Sequence, residues 1–433
     1  MSTVIGRSST TRHPVPTSHT VDFELVTIGT ELLLGLTIDT NGAYLGTQLA
    51  EVGIVVTRRS TIPDDPLAIE QAVRDALART GAVITTGGLG PTQDDITKPA
   101  VARVYGVRLR FEDTVWDEIV SRFRRLGREP AGANRTQAEV PEGAEVLRNR
   151  WGTAPGLWLD GEPGLTVMLP GVPKEMRGLL DQEVIPRLQA RGAGTVVRSL
   201  SVRTTSIPES SLAERLHPVE KLLPPLTLAY LPSTRGVDLR LTAWGVVPDQ
   251  ADRLLAEAAA RLEDALEGFA YGRGDQDLAE VVVERFRGAG RSVAIAESCT
   301  GGLLGARLTG VAGASAVFIG GVVCYQDILK HDLLGVSQES LAAHGAVSVE
   351  VAEEMARGVR VRLGAYGGVA ITGIAGPTGG TPEKPVGTVC IAWSIGPQSR
   401  AVRFTLLGNR EEIRDRAAQA ALHGLLRPQY FSD

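Results

Sequence analysis

Cysteine is scarce: Cys299, Cys324 and Cys390 are the only three in 433 residues, and none shows CxxC spacing. That pattern excludes a disulfide-stapled scaffold, argues against a zinc site and points to a reduced, cytoplasmic setting. Aromatic residues make up only 5%, so platforms for stacking bases are few. The formal net charge is −5, from 45 basic and 50 acidic residues, which gives no global drive toward nucleic acid or an anionic membrane. No apolar run approaches the roughly 20 residues that span a bilayer. The opening MSTVIGRSSTTRHPVPTSHT is rich in Ser and Thr and lacks a signal-peptide core, so residues 1–20 read as a disordered leader.

What is present is an ordinary globular composition, 43% apolar and 22% charged, in a chain long enough for two or three domains. Residues 21–191 alternate strands and helices: a strand at Phe23–Ile28, a turn at Gly29, a helix start at Thr30–Glu31, an Asp-started amphipathic helix in DPLAIEQAVRDALART, and a buried strand at Ala82–Thr86 running into a glycine loop. A helix at Lys174–Ala190 closes this part. Residues 192–269 form a small α+β unit with a long helix, Pro248–Leu266. Residues 270–433 return to the α/β pattern. Helix Asp277–Arg287, strand Ser292–Ala296, the ESCTGG turn, strand Ala316–Tyr325, helices Gln326–Leu334 and Ser348–Leu363, and strands Gly368–Thr372 and Gly387–Trp393 are predicted there. The fold class is therefore α/β: two three-layer α/β domains joined by a small α+β domain. Ligands of such sheets bind beyond the carboxyl ends of the strands.

In the last part, Ser298 stands at a strand end before a glycine-opened helix. That placement exposes a hydroxyl beside free backbone N–H groups, which suit an oxyanion or a phosphate. A serine nucleophile needs a base. Histidines are few in this domain, His331 and His344 among them, whereas Lys330 follows Tyr325 on the next helix and would serve as a buried, neutral base. A second glycine-rich strand end, TGIAGPTGGTPEKPVGT at 372–388, would close over a ligand, and it lacks Walker A spacing. The bland alternatives stay open: Ser298 or Thr300 as an N-cap, and Lys330 as a solvated lysine.

These segments resemble the C-terminal domain of the CinA family. The motifs are AESCTGG at 296–302, GGVVCYQDILKHDLLGV at 320–336, HGAVS at 344–348 and TGIAGPTGGTPEKPVGTV at 372–389. The family is similar to nicotinamide mononucleotide deamidases, which release ammonia. The resemblance implies Ser298 as nucleophile, Lys330 as general base, Tyr325 assisting proton transfer and Thr372 orienting the pair. It places Gly301, Gly302, Gly313, Ala375 and Gly376 around the oxyanion and ring, and Arg410 of GNREEIR toward the substrate. No cofactor is implied there, and Cys299 becomes a buried neighbour.

In the first third, TIPDDP carries Asp64 and Asp65, and TTGGLGPTQDD carries Gly87, Gly88, Gly90, Thr92, Asp94 and Asp95. Acidic pairs at strand ends suit a divalent cation held against a diphosphate, while glycine-loop amides cradle phosphate. Paired aspartates in turns are also ordinary helix caps. With GTELLLG (29–35), DTN (39–41), NRWGTAPG (149–156) and LPGVPKEM (169–176), the segment resembles the molybdopterin-binding fold in its CinA branch. That branch is similar to metal-dependent ADP-ribose pyrophosphatases. The resemblance implies metal at Asp65 and Asp95, then Asp64 and Asp94. The middle unit is similar to a KH domain but holds no GxxG loop, STRG at 233–236 being nearest, so a spacer or dimer-contact role fits better than RNA binding.

The resulting expectation is a cytoplasmic, homodimeric, bifunctional nucleotide hydrolase. It takes nicotinamide mononucleotide and ADP-ribose, needs a divalent metal in the first domain, and has no nucleic-acid or membrane partner. The rivals are a non-catalytic pterin- or nucleotide-binding first domain, and an adaptor in DNA uptake.

Overall fold

A computed structural model describes residues 22–191 and 194–426; the leader read at 1–20 lies outside the described residues. The described residues form two compact units, one reaching to Arg198 with Ala243–Leu254, the other Ser199–Thr242 with the chain from Leu255 onward. The middle segment thus falls largely with the C-terminal part.

The first unit is built on a six-stranded sheet in the order Val55–Ile62, Asp22–Ile28, Ala82–Thr86, Gly164–Leu169, Gly156–Gly161, Glu145–Leu147. The first four strands are parallel, and Gly156–Gly161 runs antiparallel to both of its neighbours. Ala82–Thr86 is buried at every residue, because helices cover both faces of a central parallel strand. Helix Pro66–Thr80 starts on Asp65, whose carboxylate accepts from the Ala68 amide at 2.8 Å, and stops at Gly81 in the left-handed conformation. Parallel pairing puts the ends of three strands together, so the turns after Ile28, Thr86 and Leu169 meet on one side. The closing helix is interrupted: Pro173–Leu179, a π-turn at Leu180–Val184, then Ile185–Arg191.

The second unit holds two sheets. The middle segment contributes a four-stranded antiparallel sheet ordered Thr227–Pro232, Val237–Val246, Val196–Thr204, Ala270–Arg273. The C-terminal part has five strands ordered Phe318–Val323, Val293–Glu297, Gly367–Gly373, Thr388–Ile395, Gln398–Thr405, the first three parallel. The predicted strand Ala316–Tyr325 is shorter at both ends, leaving Tyr325 two residues past it. Several elements escaped the sequence reading, among them strand Ala270–Arg273, helix Gln338–His344 and the two that close the chain. Strand Gln398–Thr405 is a charged, partly exposed edge. Helix Arg410–Leu425 opens with a capping box, Asn409 accepting from Glu411 and Glu412 amides while Glu412 accepts from the Asn409 amide at 2.7 Å.

Candidate active sites

In the second unit, three neighbouring parallel strands deliver the predicted residues to one end. Glu297 pairs with Val323 on one side and Ile371 on the other, and the Ser298 amide donates to the Ile371 carbonyl at 3.0 Å. Ser298, Tyr325 and Thr372 therefore sit at adjacent strand ends. Ser298 is 8% exposed, and among the described residues its hydroxyl makes no hydrogen bond. Lys330 is only 1% exposed, so the solvated-lysine alternative fails. Its Nζ donates to the Tyr325 carbonyl and to Asp327 Oδ1, each at 3.2 Å. Among the described residues Lys330 makes no hydrogen bond to Ser298. Thr372 is buried and donates to the Ala346 carbonyl at 2.8 Å, which ties the HGAVS segment to this strand end.

Arg410 joins two of these parts. One guanidinium nitrogen donates to the Gly376 carbonyl at 2.7 Å, another to the Tyr325 hydroxyl at 3.2 Å. Tyr325 itself is 57% exposed, available to a ligand. Gly376 has φ of 77°, and a Cβ there would come within 2.5 Å of Val386, so glycine is required in this turn. Ala375 is buried in the apolar core beside it. Gly313 is not brought to this end. It precedes Val317, whose carbonyl accepts from Val293 at the start of the strand, about 17 Å of strand rise from Ser298. The parallel crossover returns the chain to the opposite edge, and there Gly313 faces Arg287.

The sequence reading missed Glu297. Its carboxylate is 1% exposed and accepts from the amides of Gly302 at 3.0 Å, Leu304 at 3.1 Å and Gly305 at 2.8 Å. The Gly301 amide is spent on the Ser298 carbonyl at 3.1 Å. The expectation of free N–H groups at Gly301 and Gly302 is thus corrected: a buried acid occupies the helix start. The amides of Cys299 and Thr300 remain without an acceptor among the described residues. Arg414 holds the turn from outside by donating to the Thr300 carbonyl at 2.6 Å. Burial pushes the Cys299 thiol up to about 12, with the Glu297 charge adding to it, so it stays protonated and a poor nucleophile at neutral pH. Cys324 and Cys390 are likewise buried and raised by desolvation.

In the first unit, the strand-end turns enclose a cavity of about 420 Å³. Asp64, Asp94, Asp95, Glu31 and Glu175 line it together with Gly87, Gly88 and Gly90. Asp65 is turned to its own helix as the N-cap, whereas Asp64 accepts from the Thr30 amide at 2.9 Å and hydroxyl at 3.0 Å at the cavity wall. Asp95 accepts from the Thr92 amide at 2.8 Å and hydroxyl, so Thr92 serves the loop's own fold. The Gly87 amide is taken by the Leu169 carbonyl; those of Gly88 and Gly90 have no acceptor among the described residues. A Cβ on Gly90 would lie 2.5 Å from the Asp95 carboxylate and would push it aside. Glu175 was also missed: burial raises its carboxyl, and Asn149 donates to it at 2.6 Å. Nearby, desolvation pulls the Lys98 amine down to about 8, and its ammonium binds the Thr136 carbonyl. A larger cavity of about 500 Å³, bordered by Arg122, Arg125, Arg148 and Arg150, shares Gln137's partner Thr153 with this one.

Among the described residues no three His, Cys, Asp or Glu side chains converge as a metal-ligand set. The donors are oxygens, and one or two carboxylates plus substrate phosphates and water are what a small hard cation uses. Asp64 and Asp95, each with one oxygen outside the bonds just described, fit such a site.

Two α/β units, each presenting polar residues and unengaged amides at parallel strand ends, define a multidomain protein with a molybdopterin-binding-like part and a second strand-end site on a Ser-Cys-Thr turn. The family models agree: the probable molybdopterin binding domain matches residues 24–190, the damage-inducible protein CinA KH domain 199–272 and the CinA C-terminal domain 275–428. The CinA-like protein of Gemmatimonas aurantiaca is 51% identical over 411 residues, covering 94% of this chain and 96% of its own. Those of Chloroherpeton thalassium and Chlorobaculum tepidum are 40% and 41% identical, covering 92% and 93% of this chain and 97% of each of theirs. The chain belongs to the CinA-like family. No helix among the described residues is long and apolar enough to cross a membrane.

Proposed function

We propose that the C-terminal site hydrolyses the carboxamide of nicotinamide mononucleotide through Ser298. The observation that carries this is a strand-end serine beside two unengaged amides, with a lysine 1% exposed following Tyr325 at the adjacent strand end. Ser298 Oγ attacks the amide carbon and Lys330 Nζ takes the hydroxyl proton. The Cys299 and Thr300 amides hold the oxyanion. Collapse breaks the C–N bond, and the proton passes, with help from Tyr325, to the departing ammonia. Water then hydrolyses the acyl-serine to the acid. Arg410, between Tyr325 and the Gly376 turn, meets the substrate's anionic part. The test is ammonia release by the intact chain: Ser298→Ala is expected to abolish it, and an active Ser298→Ala refutes the reading.

For the first unit we propose cleavage of the ADP-ribose diphosphate. A divalent cation, when bound by Asp64 and Asp95, supplies charge neutralisation at the phosphates. The Gly88 and Gly90 amides bind phosphate oxygens, and Glu175, with its raised carboxyl, handles a proton. The exposed apolar run Leu33, Leu34, Leu36 and Ile38 supports a homodimer, which light scattering would measure.

A further inference from the structure

The middle segment has no part in the chemistry above, yet most of it belongs to the same compact unit as Ser298. We propose that it is a brace: its Ser233–Gly236 turn, Thr205 and Gly268 hold helix Arg410–Leu425 in the register that delivers Arg410 and Arg414 to the Ser298 turn. Its activity readout rests on the amide-hydrolase reading; its structural readout does not.

Three contacts lie along one stripe of that helix, four residues apart. Asp415 accepts from the Thr234 hydroxyl and from Arg235 Nε at 3.4 Å. Gln419 Nε2 donates to Thr205 Oγ1 at 3.1 Å, with both residues buried. His423 Nε2 lies 2.9 Å from the Gly268 carbonyl oxygen. On the neighbouring stripe, Arg410 reaches Tyr325 and Gly376, and Arg414 reaches Thr300. A rigid helix cannot turn one stripe without moving the other. The buried Gln419–Thr205 pair specifies register where apolar packing would tolerate slippage; among the described residues the Gln419 Oε1 has no partner, so the pair is kept at a cost.

Arg235 is shared between two carboxylates in this arrangement. Beyond Asp415 it donates to Asp277 Oδ2 at 2.8 Å, and Asp277 in turn caps helix Leu278–Gly288 and receives Arg307 at 2.8 Å. A nucleic-acid phosphate at this turn would compete with two carboxylates for Arg235. The STRG turn is therefore a clamp on its own chain.

The experiment uses the intact chain with Arg235→Ala, and with the near-isosteric Thr205→Val and Gln419→Leu. Two quantities are read: kcat and KM for ammonia release from nicotinamide mononucleotide, and hydrogen exchange of amides 410–418. The brace requires faster exchange in this stretch, and a loss in kcat/KM of roughly tenfold to a hundredfold, carried mainly by KM, because the arginines are misplaced rather than removed. In an Arg410→Ala, Arg414→Ala background the same variants should cost nothing further. Losses that add in that background, or unchanged exchange, overturn the proposal. So does salt-sensitive RNA binding that Arg235→Ala abolishes, which would give the turn to nucleic acid. A wild-type chain that releases no ammonia sinks the amidase reading alone, and exchange still decides the brace.

Discussion

Replacing Glu297 is the sharpest test of how the Ser298 turn is built. Its carboxylate satisfies the amides of Gly302, Leu304 and Gly305 from a position 1% exposed. Each amide bond to a charged acceptor contributes about 1.5–3 kcal/mol, and water entering the space left by Glu297→Ala recovers part of it. We expect a net loss of about 3–5 kcal/mol, a large share of a typical domain's stability. The thermal midpoint of this unit should fall by roughly 10 °C. Glu297→Gln keeps the shape but turns an NH₂ toward donors, and should lose about 2 kcal/mol. Activity should suffer in both, because the released helix start lets the Cys299 and Thr300 amides drift from the oxyanion. Losing such a donor costs roughly 10²–10³ in kcat. Urea unfolding and steady-state ammonia release measure the two effects. If Glu297→Gln unfolds like wild type and keeps its kcat, the carboxylate does not organise the turn and the oxyanion assignment falls with it.

Further outcomes follow from the same geometry. Cys299→Ala should retain ammonia release within about threefold, and alkylation at pH 8 should leave Cys299 unlabelled, since its thiol is pushed up to about 12 by burial. A dead Cys299→Ala with a live Ser298→Ala would reverse the nucleophile. Lys98 makes the first unit more stable as pH rises. Below about 8 both folded and unfolded chains hold the proton and the folded state bears a buried charge; between about 8 and 10.5 only the unfolded chain holds it. The gain is on the order of 3 kcal/mol, and Lys98→Met should flatten that slope in urea titrations at pH 7.5 and 10. Asp65→Ala should cost about 1 kcal/mol as a lost helix cap and leave ADP-ribose cleavage intact, whereas Asp64→Ala should cut cleavage more than roughly tenfold. Chelation should stop ADP-ribose cleavage and spare ammonia release; loss of both would tie the two sites to one metal.

Local signals carried much of this protein. The apolar run Ala82–Thr86 and the Asp65-started helix were legible because burial on two faces and capping both act over a few residues. The Ser298 turn and the glycine loops at 87–90 and 373–380 were visible as strand ends followed by glycine. The capping box at Asn409–Glu412 was there to be found, and would have announced helix Arg410–Leu425. What a sequence cannot show is which of two adjacent groups faces the site. Asp64 and Asp65 are chemically equal in the chain, and only the sheet turns one to a cavity and the other to its helix. Gly313 and Ser298 are joined by a short segment, yet the parallel crossover places them at opposite strand ends. Glu297 reads as one more acidic residue until the fold buries it under three amides. The sequence by itself determined most of the elements, the family and the strand end that carries Ser298. The tertiary structure decided which amides stay free, how deeply Lys330 is buried and which stripe of the last helix meets the site, because these depend on contacts between residues far apart in the chain.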